Sequence, residues 1–231
     1  MAGAVSVDGI KVAVVIPCYS GYIPLEFGLA MAELAVEVRK YGVNLLYISE
    51  RGNSLAVTAR NSLLNRFLET DYEYIFWIDD DIIFTPNDFL QILALCITRK
   101  STAATYCARQ DDPVFFIKPL NDESIEYTED GLIPARGCGL GFSCQHRSIV
   151  EPLLAGCDTY PDRDKKIIAD VFKTGVFEGK YWGEDMYYFN LLYKNGNPVY
   201  IHPTINLKHV GRKDYDHRLL TEKGDLNGRS S

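Results

Sequence analysis

No window of this 231-residue sequence approaches the eighteen or so uninterrupted apolar residues of a membrane-crossing helix, and the first ten residues lack a basic stretch followed by an apolar one. The expectation is a soluble, cytoplasmic protein with no secretory leader. CxxC pairs are missing as well. The six cysteines, at 18, 96, 107, 138, 144 and 157, form no small disulfide framework, and several fall in apolar segments where a reduced thiol packs as a small hydrophobe. Structural zinc is therefore not expected. Nor is there a basic excess: 24 Lys and Arg against 31 Asp and Glu leave a formal charge of −7, which weighs against a broad surface for nucleic acid. Internal repeats and low-complexity runs are absent.

What is there is enough apolar residue, 47%, to bury one substantial core, and fifteen Tyr, which suit stacking on bases or sugar rings and suit ordinary packing equally well. Lys11 to Pro17 is a β-branched run that reads as a buried strand opening into the loop Cys18 to Tyr22. Leu25 to Lys40 has helical spacing and stops at Gly42. Val43 to Ile48 reads as a second strand, Ser54 as the cap of a helix through Leu68, and Tyr72 to Ile78 as a third strand. Strand and helix alternating in this way imply parallel pairing with both faces covered. Thr85 and Pro86 start another helix to about Thr98, and Thr102 to Ala108 is the next strand.

The second half is less regular. Glycines 137, 139 and 141 crowd one short span, Ser148 to Leu154 looks helical, Gly183 to Tyr193 is a helix, and Val199 to Ile205 a strand. The predicted organisation is one α/β domain over 1–211, with a mostly parallel, Rossmann-like sheet flanked by helices. A nucleotide-binding half covers about 11–108, a mixed acceptor half 109–211, and a charged, frayed tail 212–231.

Asp79, Asp80 and Asp81 follow the apolar strand Tyr74 to Ile78, the end of a parallel sheet where ligands bind. That much like charge calls for a counterion, and Asp79 and Asp81, two apart in extended chain, suit Mg²⁺ or Mn²⁺. A plain acidic turn is the bland alternative, which the buried strand ahead of it disfavours. Glu184 and Asp185 open a helix, where acids commonly just complement the helix dipole; a carboxylate there can also act as a general base, and Trp182 beside it as a sugar-stacking wall. His209 ends an alternating segment and could complete a metal shell if the aspartates are near. Arg60 lies on the helix feeding the aspartate strand; an Arg suits bidentate contact with phosphate or base oxygens, but taken alone the position reads rather as a solvated helix face shared with Arg66.

Four of these segments, in order, resemble the GT-A fold glycosyltransferases, most closely the inverting type-2-like group: Val15-Ile16-Pro17-Cys18-Tyr19, Ala59-Arg60-Asn61, Phe76-Trp77-Ile78-Asp79-Asp80-Asp81 and Trp182-Gly183-Glu184-Asp185. The likeness spans about residues 11–211. It implies transfer of a hexose from a nucleotide-diphosphate sugar, UDP-linked, to an acceptor hydroxyl on a glycan or another molecule. Asp81 would bind Mn²⁺ or Mg²⁺ directly, Asp79 the ribose or the metal through water, and His209 would complete the shell. Asp80 is counted with the nucleotide side by position, its own role chiefly structural. Asp185 would be the base, with Glu184 positioning the acceptor; Pro17, Tyr19, Ser20, Glu50 and Arg60 would surround base and ribose, and Cys138 to Phe142 would underlie the donor sugar. Small size suggests a viral or phage member, acting in the host cytoplasm. Two departures stand out, Ser49-Glu50 where the family has an Asp, and no Arg late in the base-bearing helix. The alternatives are a retaining transferase on the same fold, a sugar nucleotidyltransferase, and a non-catalytic, metal-dependent carbohydrate-binding protein.

Overall fold

The computed structural model describes residues 6–110, 113–121, 124–177, 179–211 and 214–215. Strands β1 (Lys11–Cys18), β2 (Asn44–Arg51) and β3 (Tyr74–Ile78) alternate with helices α1 (Leu25–Glu37) and α2 (Ala56–Leu68). They pair in parallel with β1 in the middle. After the two-residue strand β4 (Ile82–Ile83), α3 (Pro86–Arg99) leads to β5 (Ser101–Ala104). Thr85 and Asp88 form a full capping box at the start of α3, with Pro86 in its first turn. Ser54 does not cap α2. Leu55 holds the N-cap position, and Asn53 Oδ1 accepts from the Leu55 N–H and the Thr58 hydroxyl instead.

The second half adds β6 (Ile117–Pro119), β7 (Ile133–Cys138), β8 (Phe142–His146), the short α4 (Arg147–Val150), hairpin strands β9 (Thr159–Pro161) and β10 (Ile167–Ala169), and a second hairpin, β11 (Gly175–Phe177) and β12 (Lys180–Trp182). Helix α5 (Glu184–Lys194), β13 (Val199–His202), β14 (Lys208–Val210) and β15 (Asp214–Tyr215) complete it. The eight-stranded sheet runs β2-β1-β3-β8-β5-β13-β7-β6. Only β7 and β8 oppose the direction of the other six. The glycine-rich span expected to be irregular is thus the tight link Gly139-Leu140-Gly141 between two sheet strands, and β8 enters between β3 and β5, which are not neighbours. Expected strand Thr102 to Ala108 ends at Ala104, where the chain leaves the sheet and carries Tyr106 and Cys107 toward the aspartate loop.

Both faces are covered. Val12, Val14, Phe76 and Ile78 face α1 and α3, while Ala13, Val15, Ile75 and Trp77 face α2 and α5, the period-two split of strands buried on two sides. Most of the expected tail lies outside the described residues; the backbone of 214–215 pairs with β14, and β14 pairs with β4.

Candidate active site

The parallel register sets the rim of the site. Pro17 is aligned with Glu50, and Val15 with both Ile48 and Trp77, so Glu50, Pro17 and Asp79 emerge side by side at the carboxyl ends of β2, β1 and β3. The loops after β1 and β2 touch through the Gly52 N–H and the Tyr19 carbonyl, 3.0 Å. Tyr19 is exposed, and the Ser20 hydroxyl donates to the Tyr22 carbonyl at 2.9 Å. Glu50 accepts from the Ser62 hydroxyl at 3.2 Å and pairs with Arg66 at 3.5 Å. It borders a cleft of ≈ 800 Å³ between α2 and the β9–β10 hairpin, whose walls include Asn53, Thr58 and Lys166.

The three aspartates diverge. Asp79 is anchored by its N–H to the Gly141 carbonyl at 2.9 Å, and its carboxylate faces the Arg60 guanidinium at 3.2 Å. Gly141 is required by crowding: a Cβ there would lie 2.4 Å from Asp79 Oδ2 and 2.6 Å from the Tyr106 hydroxyl. Gly141 thus packs directly against Asp79, and Gly139 against Tyr106. Asp80 sits beside Cys18, and burial raises its carboxyl above the usual range. Asp81 meets His209 Nε2 at 3.6 Å and Arg109 on its other oxygen. His209 is delivered by the pairing of β14 with β4, His209 opposite Ile82, locked by a hydrogen bond from the Val210 N–H to the Asp81 carbonyl at 2.8 Å.

Among the described residues no three metal-ligating side chains come together, since Asp79 turns to Arg60. The Asp81–His209 pair nonetheless fits a divalent cation. His209 Nδ1 is 2.9 Å from the Cys107 carbonyl, which can only accept, so Nδ1 carries the proton and Nε2 presents a lone pair toward Asp81. Burial lowers the imidazole's proton affinity, which keeps it neutral. Two electron-pair donors facing each other without a proton between them call for a cation, and Arg109 supplies a positive charge there.

Glu184 and Asp185 occupy the first turn of α5, which packs against β7 so closely that a Cβ on Gly137 would meet Met186 Sδ at 3.0 Å. Arg60 Nε lies 3.4 Å from Glu184 Oε1. Asp185 accepts from the Met186 N–H at 2.6 Å, and burial, with Glu184 next to it, pushes its carboxyl up to about 6, suited to a general base near neutrality. Glu184 also borders a second cleft, ≈ 490 Å³, walled by Leu55, Thr58, Phe172, Lys173 and Phe177.

Two expectations are corrected. Trp182 is no open sugar wall: it is buried, with Lys118 Nζ 3.5 Å from its ring centroid and its indole N–H bonded to the Phe177 carbonyl. Arg60 is not a solvated helix residue; at 6% exposure it is enclosed between Asp79 and Glu184. Burial works against its charge, and the two carboxylates outweigh that and hold it protonated. Tyr106 and Arg109, which the sequence reading does not single out, join the site from the irregular segment after β5. Their only signal was proximity to a strand end.

No protein-family model matches the sequence, and no curated protein is significantly similar to it. Among solved structures the chain is similar to GalNAc-T7 with UDP, GalNAc and Mn²⁺ (TM-score 0.48, 11% identity, 88% of this chain and 44% of that one). It is also similar to S. aureus TarS 1-349 in complex with UDP-GlcNAc (0.43, 13%, 94% and 60%). A third likeness is to 4-diphosphocytidyl-2C-methyl-D-erythritol synthase from Anaerococcus prevotii DSM 20548 (0.36, 11%, 67% and 79%). The chain thus spans less than two thirds of the GalNAc-T7 and TarS chains. Similarity this low does not assign a family.

Proposed function

We propose that the protein is a metal-dependent glycosyltransferase that moves a sugar from a UDP-linked donor to an acceptor hydroxyl with inversion. The observation that carries this reading is the line of charge Asp79–Arg60–Glu184, which brings the carboxyl end of β3 and the first turn of α5 into one site. Donor-side and acceptor-side chemistry need that proximity. Asp81 and His209 would hold Mn²⁺ or Mg²⁺, which when bound neutralises charge on a leaving diphosphate. Pro17, Tyr19, Ser20 and Glu50 would border the base and ribose, and Gly139 to Gly141 would underlie the donor sugar.

Asp185 accepts the proton from the attacking acceptor hydroxyl at its carboxylate, and Glu184, steadied by Arg60, orients that hydroxyl. The cleft between Leu55 and Phe177 gives an acceptor access to Glu184 from the open side. The nucleotidyltransferase alternative loses ground because the loop Cys18 to Tyr22 is not the Gly-rich, Arg- and Lys-bearing loop that such an enzyme needs. The test is incubation with UDP-glucose, UDP-GlcNAc and related donors with and without Mn²⁺, following UDP release and the anomeric configuration of the product by NMR. Inverted product with Mn²⁺ supports the reading. Retained configuration would remove Asp185 from the role of base, and no UDP release from any donor would contradict the enzyme assignment.

A further inference from the structure

We infer that Arg60 is a positioning residue, an internal cationic strut that sets Asp79 and Glu184 in fixed relation, and not a contact to the nucleotide. Its chemical meaning rests on the transferase reading above; its geometry does not. The guanidinium is engaged on two edges. Nη2 lies 3.2 Å from one oxygen of Asp79 and 3.3 Å from the other, and Nε 3.4 Å from Glu184 Oε1. The remaining nitrogen, Nη1, is buried and has no hydrogen-bond partner, and the whole side chain is nearly inaccessible, so no donor atom is presented to a cleft. The Trp77 ring, 5.8 Å from its centre, closes it from the sheet side.

The two carboxylates it joins sit on elements that are not paired with each other. Asp79 follows β3, in the middle of the sheet, while Glu184 begins α5, which rests on β7, four positions along the sheet from β3. Without a cation between them, Asp79, Glu184 and Asp185 would repel one another; Glu184 and Asp79 both disfavour the charge on Asp185, and Arg60 favours it. A planar, permanently charged fork answers this where a lysine ammonium cannot span both partners. The strut fixes where the acceptor-side carboxylates stand relative to the donor-side one, so it acts on turnover through Glu184 and Asp185.

The experiment uses the full chain with Arg60→Lys, Arg60→Gln, Glu184→Gln and the double Arg60→Gln/Glu184→Gln variant. Urea unfolding without ligand reads the link directly: the strut predicts non-additive stability changes in the cycle, with the double variant less impaired than the sum of the single ones. Calorimetry with UDP and Mn²⁺ is expected to give affinities for Arg60→Lys within about threefold of the parent, while UDP-sugar turnover falls about a hundredfold, the scale of a small misplacement of reacting groups. Additive stability changes, or a tenfold or greater loss of UDP affinity in folded Arg60→Lys, would overturn the inference. If the parent chain turns over no nucleotide sugar while the cycle still shows coupling, the transferase reading fails and the link between Asp79 and Glu184 stands.

Discussion

Helix α2 buries two adjacent polar side chains, Arg60 and Asn61, and they are buried on opposite terms. Asn61 fills all four of its hydrogen-bonding positions with its own chain: Nδ2 donates to Asp170 Oδ1 and the Phe172 carbonyl, and Oδ1 accepts from the N–H groups of Val171 and Phe172. One turn on, Asn65 repeats the pattern by exchanging hydrogen bonds with the Ala169 backbone. Arg60, about 100° round the helix, ends on two carboxylates and leaves a nitrogen unpaired. Asn61, with every bond satisfied internally, stitches α2 to the segment Asp170 to Phe172, whereas Arg60 holds two carboxylates of like charge together.

The comparison can be broken by substitutions on either side. The largest effect is expected on the Arg60 side: Asp185→Asn, read by steady-state turnover and by calorimetry with UDP, should lose about 10³-fold in turnover with UDP affinity retained. A loss confined to affinity would move the base elsewhere. On the Asn61 side, Asn61→Ala strands two buried N–H groups and should cost about 2–4 kcal/mol in urea unfolding, while turnover per folded molecule stays within about threefold. An activity loss without destabilisation would erase the distinction between the two residues. Gly141→Ala forces the Asp79 carboxylate and Tyr106 apart and should lower turnover by some tens of fold, with the circular dichroism spectrum unchanged.

Smaller effects follow from Asp185 titrating at about 6. As a base it must be ionised, so turnover should fall about tenfold per unit below pH 6. The stability consequence has the opposite sense to that of an ion-paired acid. Its folded value lies above the reference 3.8, so the unfolded chain ionises first; the charge costs nothing below 3.8, and the cost grows with pH until it is complete above about 6. Asp185→Asn should therefore gain, relative to the parent, about 2 kcal/mol between pH 4 and pH 7 in unfolding experiments. A flat difference would mean that the carboxyl is not buried.

How much of this was legible in the sequence follows the same divide. The first hundred residues alternate apolar strands with helices of apolar spacing, and that pattern carries its own registration: once β1, β2 and β3 are parallel, Glu50, Pro17 and Asp79 must emerge together. β7 and β8 were not legible, because a Gly-rich link and mixed residues such as Arg136 and Gln145 hide strands whose burial comes from neighbours far away in sequence. His209 was visible as a residue and invisible as a place, since its approach to Asp81 depends on the short pairing of β14 with a two-residue β4. Arg60 carried a motif but not an environment: helical periodicity gives a face, and only the packing of α5 against β7 reveals that a carboxylate waits across it.

Whether the proposed pair Asp81 and His209 holds a divalent cation for a nucleotide diphosphate can be read from calorimetry of UDP binding to the parent chain and to Asp81→Ala, each with and without Mn²⁺. Mn²⁺ is expected to strengthen UDP binding to the parent at least tenfold, and this gain is expected to vanish in Asp81→Ala. UDP affinity indifferent to Mn²⁺ in the parent, or the same Mn²⁺ gain retained in the folded Asp81→Ala protein, would contradict it.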